Sequence, residues 1–159
     1  MCLGNTGGHV MFNNFSKNWK YLQDQGIISN QEFINATFTQ HYRTVEEFRA
    51  PFDNKDSVIS KSGLILKSCE TMITECQYKI HYSNNKNSMS PLDYAKTLIP
   101  TMRSWSETVF RNALVDRTER EINEIVEKFY NLYIDEVAND PEGHAMDYVH
   151  VIMDIEKVY

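Results

Sequence analysis

The first candidates for chemistry are histidine, aspartate and cysteine. His144, Asp147 and His150 are metal-ligating residue types close together in the chain. On a strand, however, Asp147 points opposite to His144 and His150, so the three do not converge on one ion. Cys69, Cys76 and His81 lack any recognised zinc spacing. Gly4-Asn5-Thr6-Gly7-Gly8 has the glycines of a phosphate loop. It lacks the Lys-Ser/Thr of a P-loop and the GxGxxG spacing, so a strand-to-helix turn explains it. No Ser-His-Asp or Cys-His order stands out, and no carboxylate pair is set for acid–base work. The acidic run from Glu119 to Glu127 is a solvated helix face. These residues point to no metal site and no catalytic centre.

A second kind of candidate is a pocket wall. Met102 and Trp105 are three apart, and Arg103 and Glu107 four apart, on one predicted helix. A large ring, a flexible thioether and a charged pair on adjacent turns can line a pocket. The same residues serve equally as ordinary core with a surface ion pair.

The elements that would position them can be read from periodicity. Ser90 to Leu114 reads as one long helix with Ser90 as N-cap, Pro91 in the first position and Asp93 in the first turn. Ala95, Leu98, Ile99, Met102, Trp105, Val109, Phe110 and Ala113 form its apolar stripe, and Pro100 predicts a kink near Lys96 to Pro100. Upstream, Val10, Met11, Phe12, Phe15, Trp19 and Leu22 predict a helix from about Met11 to Gln25, closed by Gly26. Ser29 or Asn30 caps a short helix from Gln31, and Phe38 to Tyr42 reads as extended. Thr44 to Glu47 is a capping box for another short helix. Asp53 to Ser62 reads as a loop or a single helical turn. Leu64 to Met72 and Gln77 to Tyr82 read as strands, with Asn84 to Ser88 a surface loop. Thr118 caps a second long helix to about Ala138, carrying Ile122, Ile125, Val126, Phe129, Leu132, Tyr133 and Val137 inside. Asp147 to Val158 alternates as the clearest strand.

Composition sets the outer bounds. The 159 residues suffice for one domain, with 42% hydrophobic, 24% charged and 12% aromatic residues. A net charge of −6 argues against nucleic acid as a partner. No apolar run reaches membrane-spanning length and no signal pattern opens the chain, so neither a membrane partner nor secretion is expected. Three cysteines without a close pair fit reduced thiols and a cytoplasmic location. The opening Met1 to Asn5 looks like the end of a strand, as though a preceding portion were absent.

The order of these motifs resembles the C-terminal half of class I S-adenosylmethionine-dependent methyltransferases, above all the plant-type SABATH carboxyl methyltransferases that esterify small acids such as salicylate and jasmonate. Met1-Cys2-Leu3-Gly4-Asn5 looks like the family's strand ending Leu-Gly-Arg. Trp19 to Ile28, ending Gln-Gly-Ile-Ile, looks like its helix ending Glu-Gly-Leu-Ile. Tyr42 to Phe48 looks like its Tyr-x-Pro-Ser-x-Glu-Glu-Val element. Ser62 to Glu70 looks like its Gly-Ser-Phe and following strand, Met102 to Glu107 like its Met-Arg-Ala-x-x-Glu helix, and Tyr148 to Lys157 like its closing strand. Each motif is short and degenerate; their order and spacing carry the resemblance.

The resemblance implies an α/β fold: the C-terminal portion of a Rossmann-like methyltransferase sheet with helical cap elements, residues 1–159 being a single partial domain. It implies that this part contributes the pocket for a small-molecule acceptor, a carboxylate being favoured. A carboxylate is already nucleophilic at neutral pH, so in-line attack on the sulfonium methyl needs no general base. The family's pocket-lining positions are matched here by Met11, Phe12, Tyr42, Met102, Trp105 and Tyr148. S-adenosylmethionine would be bound by the parent enzyme and not by this chain alone. The unpaired sheet edge invites association, a homodimer being one form. Asn35-Ala36-Thr37-Phe38 stands where some members have Asp-x-Phe-Asn associated with magnesium, so the metal is not carried over. Arg43-Thr44-Val45 departs from the family's Pro-Ser before the paired acids, which leaves the acceptor open. The alternative is a non-catalytic α+β interaction module, or pseudoenzyme, on the same scaffold.

Overall fold

The structure, a computed structural model, describes residues 7–39 and 42–158. In chain order the elements are α1 (Gly7–Asp24), α2 (Asn30–Asn35), α3 (Val45–Asp53), α4 (Val58–Lys61), β1 (Leu64–Thr74), α5 (Gln77–Asn84), α6 (Pro91–Ala113), α7 (Glu119–Asn139) and β2 (Tyr148–Lys157). The chain is therefore mixed α and β, mainly helical, with a two-stranded antiparallel sheet. The strand end expected over Met1 to Asn5 lies outside the described residues, as do Gln40 and His41 of the expected extended segment. Among the described residues no helix is long and apolar enough to cross a membrane.

Local chemistry sets most helix boundaries. Ser29, Thr44, Ser90 and Thr118 each accept from the backbone N–H three residues on, and the acid at that position accepts from the cap's own N–H. Each box satisfies two donors that a bare helix end leaves open. At the far end of α1, Gly26 adopts φ +68°. Its N–H donates to Gln23 O at 2.9 Å and the Ile27 N–H donates to Leu22 O at 2.9 Å, a Schellman closure that spares an L side chain the left-handed conformation. α6 continues unbroken through the exposed Pro100.

The apolar stripes of α1, α6 and α7 meet in one core. Phe110 of α6 and Phe129 of α7 lie 4.1 Å apart by ring centroid, and Trp19 of α1 sits 4.9 Å from Phe110. Phe15, Leu22, Leu98, Ile99, Met102, Val126, Tyr133 and Val137 surround them with essentially no exposed surface. Tyr130, outside the expected stripe of α7, is buried as well, because its hydroxyl has a partner in Ser106 Oγ at 2.8 Å.

The strand expected over Gln77 to Tyr82 is instead the helix α5. A strand would put Lys79 and Tyr82 on opposite faces, whereas a helix puts them on one. Both are used against α6: Tyr82 stacks on Tyr94 at 4.7 Å, and Lys79 Nζ lies 5.8 Å from the same ring. Lys79 also donates to Pro141 O at 2.5 Å and to Glu142 at 2.8 Å. With Lys86 alongside, the Glu142 carboxyl is pulled down to about 2. Six residues carry too little periodicity to separate the two states, and the packing decides.

β1 and β2 pair from Leu64↔Lys157 to Thr74↔Tyr148, with an extra residue in β1 between Leu66 and Ser68. Gly63, at φ +77°, lets the ribbon close: its carbonyl accepts from Val158 N–H at 2.8 Å, and a Cβ there would meet Val158 O at 2.4 Å. β1 also packs against α3 and α4.

Replacing Phe110 with Ala should destabilise the fold by roughly 3–5 kcal/mol, since the ring is fully buried and the aromatic neighbours leave a cavity. Urea denaturation followed by far-UV circular dichroism measures this; a loss below about 1 kcal/mol would mean that Phe110 is not central to the core.

Candidate functional site

α1 carries Phe12 one turn before the buried Phe15, and α6 brings Trp105 to the same place from ninety-three residues downstream. The irregular segment after α2 delivers Phe38, and Tyr42 follows. The rings meet mostly edge to face. Phe12 lies 5.5 Å from Phe38, 6.5 Å from Tyr42 and 6.2 Å from Trp105, and Phe38 lies 6.1 Å from Trp105. Phe15 forms the floor, stacked on Phe38 at 5.7 Å and 6.0 Å from Trp105. Tyr42 is 59% and Trp105 38% exposed, while Phe12 and Phe38 are half-buried. The result is an aromatic wall, open to solvent on one side and continuous with the core on the other. Beside it, a cleft of about 210 Å³ lies between α1, the α2 region and Phe110, with Phe15 and Phe38 shared between cleft and wall. Such a wall can hold an apolar or planar group against ring faces and keep water from it.

Of the six expected pocket positions, Phe12, Tyr42 and Trp105 come together. Met11 and Met102 are in the core, Met102 with no exposed surface. Tyr148 is on β2, half-exposed, stacked on His150 at 6.0 Å with its hydroxyl donating to Met146 Sδ at 3.7 Å. Phe38 and Phe15 were not among the expected positions. The pairing of Phe12 with Phe15 at helical spacing was a visible signal; nothing local marks Phe38, which reaches the wall only through the path of an irregular segment.

The charged pair on α6 faces away from this wall. Arg103 Nε donates to Glu107 at 2.6 Å and its Nη2 to Glu127 of α7 at 2.5 Å, and the guanidinium lies 5.1 Å from the Tyr130 ring. The hydrogen bond to Arg103 holds the Glu127 carboxyl below its ordinary value. Arg103 braces α6 against α7. Ser106 Oγ, shared with Tyr130, also donates to Met102 O at 2.7 Å, and burial pushes the Tyr130 phenol up.

A second polar group lies deeper. Tyr94 OH donates to His144 O at 2.7 Å, Asn14 Nδ2 is 3.3 Å from His144 Nδ1, and the Tyr133 ring stands 5.7 Å from the imidazole. His144 is 7% exposed; burial depresses its pKa, with Asp140 and Glu136 opposing. Asp147 Oδ1 accepts from Cys76 N–H at 2.8 Å, just ahead of α5. His144 and Asp147 both precede β2, so their directions are set by this loop and not by strand alternation. Among the described residues no group of three His, Cys, Asp or Glu side chains could hold a metal ion. Cys69 and Cys76 are free thiols.

No family model and no curated protein matches this chain.

Because the folded state favours neutral His144, the unfolded chain takes up the proton first as pH falls. Stability should be full above about pH 6.5 and decline toward pH 5, before most carboxylates titrate. The drop in urea midpoint between those two values should shrink in His144→Gln; an unchanged drop would assign it to other groups.

Proposed function

We propose that this chain is the acceptor-binding part of a small-molecule S-adenosylmethionine-dependent methyltransferase, with a carboxylate acceptor favoured. One observation carries the proposal. Phe12, Tyr42 and Trp105, three positions matched to the family's acceptor pocket, come from three separate segments and converge on one partly exposed wall. Core residues alone would not need to meet at the surface.

In this role the wall orients and dehydrates. Trp105 and Phe12 hold the apolar body of the acceptor between ring edges and faces, and Tyr42 closes the solvent side. The carboxylate oxygen then attacks the methyl carbon in line as the carbon–sulfur bond breaks, and no proton needs to be moved. Donor binding belongs to the other half of the scaffold, so the proposal assigns these residues no contact with the cofactor. The exposed apolar residues of β1 and β2 favour a second role, a non-catalytic interaction module on the same scaffold.

Ligand-observed NMR with a panel of small aromatic and aliphatic acids and amines tests the proposal. Acids should bind the isolated chain, and Trp105→Ala should weaken them roughly tenfold while circular dichroism stays unchanged. Calorimetric titration with S-adenosylmethionine should give no micromolar binding. Failure of every acid and amine would select the interaction module, and micromolar donor binding would overturn the division of labour.

A further inference from the structure

The cleft beside the aromatic wall is a different environment from the wall. Phe15 and Phe38, stacked with 15° between their planes, form the partition. On one side they face Phe12 and Trp105. On the other they border the cleft of about 210 Å³, whose lining includes neither of those rings nor Tyr42. Trp19 and Phe110, 2% and 1% exposed, form its buried part. Ser16 of α1 and Ile34 and Thr37 of the α2 region are the exposed members of the lining, with Ala36 half-buried between them.

The elements around this space are fixed to one another. Trp19 Nε1 of α1 donates to Glu32 O of α2 at 3.4 Å. At the other end of α2, Asn35 Nδ2 donates to Ala113 O of α6 at 3.5 Å. Arg117 clamps the Glu32 carboxylate with two bonds of 2.8 Å. α2 is thus tied to α1, to the end of α6 and to the loop before α7, and the cleft is pre-formed.

Polarity narrows the occupant. Among the described residues no ionisable side chain lines the cleft. Trp19 Nε1 already donates to Glu32 O, and Thr37 Oγ1 donates to Ile34 O at 3.0 Å. A water there would find few of the partners it needs. An anion would lose its hydration and meet no cation. Glu32, next to Phe33 of the lining, commits its charge to Arg117. What remains is apolar surface and ring faces. An apolar cavity of about 150 Å³ accommodates benzene, so the cleft takes one aromatic ring with a small substituent.

We propose that this cleft is a second ligand site, for a neutral single-ring aromatic molecule, divided from the aromatic wall by the Phe15–Phe38 pair. The site goes beyond the acceptor reading and does not need it: a charged acceptor is excluded from the cleft by the same lining that admits a neutral ring.

Trp19 reports on the site. The chain has two tryptophans, so Trp105→Phe leaves Trp19 as the single emitter. Iodobenzene, whose heavy atom quenches an indole on contact, should quench Trp19 saturably with a midpoint below about 1 mM. Adding Ala36→Leu fills the space and should weaken that binding tenfold or more with an unchanged circular dichroism spectrum. Ser16→Leu, at an exposed helical position, crowds the lining from α1 and should act in the same direction, so the test survives if Ala36→Leu unfolds. 4-Iodobenzoate should leave Trp19 unquenched, because its carboxylate finds no partner in the cleft. Quenching that rises linearly without saturating would overturn the proposal. So would saturable quenching indifferent to both filling variants, or equal quenching by 4-iodobenzoate. Acid binding at the wall is read by its sensitivity to Trp105→Ala and should be unchanged in Ser16→Leu, so either proposal can fail without the other.

Discussion

The contact between Phe110 and Phe129, at 4.1 Å, is the constraint on which the rest of the structure depends. It joins the two longest helices at the depth where α1 adds Trp19 and Phe15. Because Phe15 touches Phe110 and also underlies Phe38 and Trp105, the aromatic wall is an outgrowth of the core. Its rings are held from behind by residues that cannot move without opening the interior. That explains how Tyr42 and Trp105 can be well placed while still facing solvent.

Polar groups are placed so that this apolar interior is not compromised. Ser106 and Tyr130 satisfy one another between α6 and α7, and Tyr94 and Asn14 engage His144. At the other end, Arg117 clamps the buried Glu32 with two bonds of 2.8 Å and reaches Ile27 O at 3.1 Å. Burial pushes the Glu32 carboxyl up, yet Arg117 and the Ser29 cap together hold it below its ordinary value. The pair ties the loop before α7 to the start of α2. Breaking one partner would leave a buried charge unmatched.

The ribbon follows a different physics. Its strands meet each other, α3 and α4, but contribute no residue to the buried core. Stability there comes from ladder hydrogen bonds and half-covered side chains.

The capped starts of α3, α6 and α7, the two long amphipathic stripes and the two strands were legible from the chain alone, whereas α1 begins at Gly7 and not near Met11. Capping boxes and heptad-like spacing act over a few residues, and their chemistry does not need the fold. The α5 segment was not legible, because Lys79 and Tyr82 choose a helix only once Tyr94 and Pro141 are beside them. Nor was the division of the candidate site. Met102 and Trp105 have the same local pattern, yet one is sealed in the core and the other opens on the surface. The packing of α6 against α7 and against the rings of α1 decides this, and Phe38 reaches the wall only through the path of the segment after α2. The sequence by itself determined which residues form each element and which face of each is apolar. Only tertiary packing decided which of those apolar residues meet solvent, because exposure depends on neighbours far away in the chain.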